Sequence, residues 1–306
     1  MREYIRWSGA AARVTIPALM VHADVDPDFR SPRLGCDCHF HVFGEPGRYP
    51  YNDADLRYAP PHAPLEDYLK LARTLGLERF VLVQPSAYGR DNRCMLDAMR
   101  ELGGRSRGIV DIDENASDAE LDRLNAAGVS GVRVNVWPVK PYEAGFAATL
   151  LERIERLRAR CAEIGWQLDF LTPGWLTREL IPVFRKLDVD FTLAHLGLFP
   201  AKDGPAQPGF RELLALLREG NRRCWVKLTG IYRMSTAPRF ADVAPMARAL
   251  VEAAPDRVIW GSDYPHLSFA DKVGSVELWN LLGAWAPDDA TRRAILVENP
   301  RRLFDF

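Results

Sequence analysis

From residue 35 onward, short runs rich in β-branched and aromatic residues alternate with longer stretches of amphipathic, helical period. The runs at 36–42, 79–84, 107–112, 130–136, 166–171, 190–195, 224–229 and 257–262 predict eight strands. Each leads through a loop into a predicted helix, at 65–75, 92–102, 117–127, 144–164, 176–187, 209–219, 240–253 and 273–285, with a last helix near 288–304. Ser117 with Glu120 three residues on has the form of a capping box, and Gly76, Gly103, Gly128 and Gly165 stand where helices are expected to stop. An open doubly wound sheet would carry a glycine-rich phosphate turn after its first strand, and neither GxGxxG nor GxxxxGK[ST] occurs. The expectation is therefore α/β: a distorted (β/α)8 TIM barrel at 35–306, one domain, preceded by an N-terminal extension at 1–34.

Composition narrows the function classes. Forty basic and 41 acidic side chains give a formal charge of −1, which leaves no global field to gather a phosphate backbone, so nucleic acid is not an expected partner. No apolar run approaches the ~20 residues of a membrane span. Five scattered cysteines, an odd number, argue against a disulfide framework and for a reducing, cytoplasmic setting. Residues 1–34, broken by Arg13 and Pro17, fit a signal peptide poorly. Self-association into a homo-oligomer is compatible with this pattern, which does not separate interface patches from core faces.

Chemistry concentrates at the strand ends. In Cys36-Asp37-Cys38-His39-Phe40-His41-Val42, strict alternation sends Asp37, His39 and His41 to one face and Cys36, Cys38, Phe40 and Val42 to the other. Two imidazoles then point into the barrel, where an HxH pair can ligate a metal or polarise a substrate oxygen. In such a barrel all strand C-termini converge on one mouth. His195 closes the sixth strand, Asp263 follows the eighth, and Arg133 lies in the fourth among Val132, Val134 and Val136. With its apolar neighbours on the opposite face, Arg133 projects inward, and a guanidinium there is costly to bury without an anion. Arg233, in the loop after the seventh strand, adds a second fork, and the two together point to a small acidic substrate. Ser86 and Tyr88 bring hydroxyls after the second strand. Ser86 is not in a GxSxG elbow, so it reads as a hydrogen-bonding group and not as a nucleophile. The stretch from Gly44 to Pro64, with Tyr49, Tyr51, Tyr58 and His62, is expected to form a lid or rim over the mouth.

Taken together, Cys38-His39-Phe40-His41-Val42-Phe43-Gly44, Gln84-Pro85-Ser86 with Gly89 and Asp91-Asn92, Gly131-Val132-Arg133-Val134-Asn135, Ala194-His195-Leu196-Gly197, Trp260-Gly261-Ser262-Asp263-Tyr264-Pro265-His266 and Glu298-Asn299-Pro300 resemble the amidohydrolase superfamily. The nearest likeness is to its 2-pyrone-4,6-dicarboxylate lactonase-like branch, from about residue 35 to the end of the chain. The resemblance implies a hydrolase that opens a small acidic lactone, of the 2-pyrone, muconolactone or sugar-acid type. Asp263 would activate the water, while His39, His41 and His195 would bind or polarise the carbonyl. Ser86, Tyr88, Arg133, Arg233 and His266 would hold the substrate. A second arginine of that branch has at best Lys140 in its place, and a tyrosine expected at the end of the fifth strand is replaced within Leu168-Asp169-Phe170-Leu171-Thr172, so one acidic group fits better than two. No cofactor is expected. The alternative is one divalent metal, such as zinc or manganese, held by His39, His41, His195 and Asp263, as in superfamily relatives that are metal-dependent decarboxylases of aromatic or muconate-type acids.

Overall fold

The computed structural model describes residues 25–52, 56, 58–136, 146–219 and 222–306. Eight parallel strands, β1 (Cys36–Phe40), β2 (Arg79–Val83), β3 (Ser106–Val110), β4 (Val129–Asn135), β5 (Gln167–Leu171), β6 (Phe191–Leu193), β7 (Cys224–Leu228) and β8 (Val258–Trp260), pair in sequence order. Between and outside them run α1 (Leu65–Leu75), α2 (Arg93–Leu102), α3 (Asp118–Ala126), α4 (Phe146–Ile164), α5 (Gly174–Phe184), α6 (Pro208–Arg218), α7 (Ala244–Ala253) and α8 (Ser275–Trp285). A final stretch, α9 (Asp289–Arg293) and α10 (Asn299–Phe304), is joined by one wide turn at Ala294–Glu298. This is the expected (β/α)8 arrangement. The sheet is closed at the mouth, where Asp263 N–H donates to His39 O (2.8 Å) and His41 N–H to Tyr264 O (2.9 Å), stitching the end of β1 to the segment after β8.

Alternation along each strand divides the core in two. Val132, Val134, Leu168, Phe170, Val226, Leu228 and Trp260 belong to the cluster packed against the helices, whose apolar faces supply Met95, Met99, Leu180, Phe184 and Leu250. Cys36, Cys38, Val81, Val83, Ile109, Trp225 and Ile259 form a separate cluster inside the barrel, sealed below by Phe304 of α10. Ser117 Oγ caps α3 by accepting from Glu120 N–H (3.3 Å), as its spacing predicts, and Gly76 ends α1 in the left-handed conformation.

The first strand departs from expectation. Its pairing with β2 runs Asp37↔Phe80 and then Phe40↔Leu82, so β1 carries one extra residue, a bulge. The bulge splits the predicted face. Cys36 and Cys38 point to the barrel interior, whereas Asp37 turns to the helix side, where Tyr68 of α1 donates to its Oδ2 (3.0 Å). Past the bulge His39 and His41 face inward and Phe40 stacks on Tyr68 outside. The predicted strands also extend further than the ladders: His41, His195, Thr229 and Ser262 lie beyond the paired residues.

Of the expected extension, residues 25–34 pack on α1 and α8. Phe29 stacks on Trp279 (4.5 Å between centroids) and accepts its indole N–H at the backbone oxygen (2.8 Å), and Ser31 N–H donates to Leu75 O (2.8 Å). Residues 1–24 lie outside the described residues, as do 53–55, Arg57 and the 137–145 segment with Lys140. Among the described residues no helix is long and apolar enough to cross a membrane.

Candidate active site

The strand ends deliver the expected groups to one point. Asp263, fully buried, is the centre. Its Oδ1 lies 3.6 Å from His39 Nε2 and 3.5 Å from His41 Nε2; its Oδ2 lies 4.0 Å from His195 Nε2 and 3.2 Å from Arg233 Nε. Tyr232 donates its hydroxyl to Oδ2 at 2.5 Å. A cavity of about 200 Å³ opens above, bordered by His41, His195, Asp263, Arg133, Arg233 and Ser86. Tyr58 of the expected rim also lines it, as do Asn135 and Phe269, to which the sequence reading assigns no role.

The backbone needed for this convergence is unusual. His195 (φ 51°), Leu196 (φ 52°), Asp263 (φ 55°), His266 (φ 61°) and Ser268 (φ 64°) all take the left-handed conformation, which costs a non-glycine residue on the order of 1–3 kcal/mol. Two glycines give the imidazoles room. A Cβ at Gly261 would sit 2.6 Å from His39 Cβ, and one at Gly230 would run into the His195 ring.

Asp37, though turned away from the cavity, organises it. Its Oδ1 accepts the backbone N–H of His39 (3.0 Å) and of Ser262 (3.0 Å), tying the bulge to the residue before Asp263. Burial raises its carboxyl to about 6 against the lowering effect of these hydrogen bonds.

Electrostatics fix the protonation states. Burial opposes the Asp263 anion, but the Arg233 guanidinium beside it outweighs that penalty and holds the carboxyl well below the ordinary carboxylate range. Burial makes the histidines neutral: His195 is pushed down to about 3 and His39 and His41 are lowered as well, against the opposing pull of Asp263. His41 Nδ1 lies 2.7 Å from Val83 O, and a carbonyl only accepts, so the ring hydrogen is on Nδ1 and Nε2 presents a lone pair. Arg133, 4% exposed, donates from Nη1 to Gln84 O and retains Nε without a partner among the described residues. The Arg233 guanidinium packs over Tyr232 (5.3 Å) and Phe269 (5.5 Å).

Two expected substrate contacts lie elsewhere. The Tyr88 hydroxyl accepts from Gly44 N–H (3.1 Å) and its ring packs between Phe43 and Tyr51, because the short turn Ser86–Tyr88 points Ser86 and Tyr88 in different directions. His266 sits behind Asp263, with Nε2 2.7 Å from Ser275 Oγ, and borders a separate groove between α1 and α8.

His39 Nε2 and Asp263 Oδ1 are buried without a hydrogen-bond partner among the described residues. With His41 they place three donor atoms within 4.8 Å of one another, a set that could hold a metal ion.

Residues 36–306 match the sequence profile of the amidohydrolase family, and the chain belongs to it. It is 38% identical over 280 residues to a 4-sulfomuconolactone hydrolase of Hydrogenophaga intermedia, covering 90% of each chain. It is 33% identical over 288 residues to a 2-pyrone-4,6-dicarboxylate hydrolase of Comamonas testosteroni, covering 91% of this chain and 92% of that one. Among solved structures, an Agrobacterium tumefaciens protein superposes with a TM-score of 0.80 at 28% identity, covering 92% of this chain and 98% of the other.

Proposed function

We propose that this protein is a lactonase that hydrolyses a small lactone bearing one acidic group, with Asp263 as the base. The observation that carries the reading is the ionised, fully buried Asp263 facing a small cavity that also holds two guanidinium groups. Its relatives named as lactone hydrolases support the substrate class. Water held by Asp263 Oδ1 and the His41 Nε2 lone pair loses a proton to Asp263 as its oxygen bonds to the lactone carbonyl carbon. N–H groups of His39, His195 and Arg233 meet the charge that develops on the carbonyl oxygen. The ring C–O bond then breaks, and the proton on Asp263 passes to the departing oxygen. Arg133, with Ser86, Tyr58 and Asn135 beside it, holds the acidic substituent and orients the ring.

The sequence of steps is complete without a metal, and we propose that none is required. A divalent ion held by His39, His41 and Asp263 would supply a Lewis acid and a more acidic water. The lack of a long apolar helix among the described residues and the unpaired state of the cysteines support a cytoplasmic enzyme.

A panel of acidic lactones assayed by acid release, with and without chelator and alongside metal analysis of the same preparation, tests the reading. Ring opening that survives chelation is expected. Activity lost to chelator together with release of carbon dioxide from an aromatic or muconate-type acid would make the protein a metal-dependent decarboxylase instead.

A further inference from the structure

Beneath the mouth lies a charged cluster that the reaction above does not use. Lys227 of β7 and Asp169 of β5 are fully buried and form an ion pair, and Thr192 of β6 donates to the same carboxylate oxygen at 2.7 Å. Lys227 Nζ also lies 3.4 Å from Nδ1 of His39. An ammonium has donors and no acceptor, so His39 Nδ1 can only accept, and the ring hydrogen of the neutral imidazole belongs on Nε2. That is the nitrogen nearest Asp263.

The two rings of the HxH pair are therefore opposites. Histidines that ligate metals almost always donate their second N–H to a carboxylate, carbonyl or water. His41 does so, through Nδ1–H to Val83 O. His39 has a cation in that place. To offer Nε2 to a metal, His39 would have to move its hydrogen to Nδ1 and aim it at the ammonium, setting two donors against each other in a dry interior.

We propose that Lys227 is a positioning residue that locks His39 as an Nε2–H donor, so that the paired imidazoles act as one donor and one acceptor instead of two matched metal ligands. Asp169 and Thr192 keep the ammonium in place from the other side. The catalytic consequence, in which His39 donates to the carbonyl oxygen while His41 accepts from water, rests on the lactonase reading. The tautomer itself does not, because it belongs to the resting protein.

Nitrogen NMR of the full chain, labelled with 15N-histidine and treated with chelator, reads it directly, with His39 assigned by the loss of its signals in His39→Gln. The expected result is a protonated Nε2 and an unprotonated Nδ1 for His39, and the reverse for His41. Replacing the ion pair with apolar groups, Lys227→Met with Asp169→Leu, removes both of its charges together, although Arg133 also loses the attraction of Asp169. In that variant His39 is expected to populate the Nδ1–H tautomer, His41 to stay as it was, and zinc affinity measured by calorimetry to rise on the order of tenfold. A wild-type His39 protonated at Nδ1 overturns the proposal whether or not the variant folds. So does a folded variant with unchanged tautomer and unchanged zinc affinity. A protein with the expected tautomer that opens no lactone would sink the functional reading and leave this one standing.

Discussion

The two ends of the barrel interior contrast sharply although both are dry. At the floor, the side chains of Cys36, Cys38, Val81, Val83, Ile109 and Ile259 form one packed cluster with Phe304. At the mouth, His39, His41, His195, Asp263 and Arg133 are as fully buried, yet His39 Nε2, Asp263 Oδ1 and Arg133 Nε have no partner among the described residues, and the backbone at His195 and Asp263 is left-handed. One end contributes stability. The other stores polar groups and strain that the packed end must offset, which is the usual division between a scaffold and its reactive site.

Substitutions at the two ends are thus expected to fail in different ways. The largest effect belongs to Asp263→Asn, which removes the base while keeping the shape. We expect kcat to fall roughly 10³-fold with substrate affinity by calorimetry largely retained and thermal stability lowered, since Arg233 loses its buried counter-ion. Activity within tenfold of wild type would take Asp263 out of that role. At the floor, Ile259→Ala is expected to cost about 2–5 kcal/mol in urea unfolding, with kcat of the folded fraction within about twofold of wild type. If turnover falls as far as stability, the two ends are not separable.

Arg133→Met, back at the mouth, is expected to raise KM about 10- to 100-fold for an acidic lactone, the size of one lost charge-assisted contact, and to change kcat little. A neutral lactone would be the control, showing a much smaller loss. The gentlest probe is pH. Burial holds His195 near 3 and His266 near 4, so below about pH 6.5 the unfolded chain binds protons that the folded chain refuses. Asp37, raised to about 6, works the other way, because in that range the folded chain takes up its proton first. His195 and His266, with His39 and His41 beside them, outweigh the raised carboxyls of Asp37, Asp111 and Asp190, so stability is expected to fall on acidification between pH 6 and 4. Urea unfolding at pH 6 and pH 5 measures this, and stability that rises on acidification would contradict the neutral state of the buried imidazoles.

Much of this contrast can be read from the chain. Hydrophobic period separates strands from helices, and once eight units imply a closed barrel, the strand termini must converge, so His39, His41, His195, Asp263, Arg133, Arg233 and Ser86 could be brought together on paper. The bulge in β1 could not, since Cys36-Asp37-Cys38-His39-Phe40-His41 alternates equally well in two registers and only pairing with Phe80 and Leu82 selects one. The tight turn that aims Tyr88 and the left-handed residue that aims His266 leave no trace in the periodicity. Lys227 is legible as an oddity. It interrupts Cys224-Trp225-Val226-Lys227-Leu228 in the way that Arg133 interrupts its own strand, but its partners, Asp169 and His39, become neighbours only when the sheet curls round.

The stitch between β1 and the segment after β8 carries one further implication. The backbone oxygen of His39 accepts from the amide of Asp263, so the clasp of the barrel and the spacing of its reacting groups are the same few atoms. Warming that loosens this clasp is expected to extinguish turnover while the circular dichroism of the helices still looks intact, and inactivation would run ahead of melting.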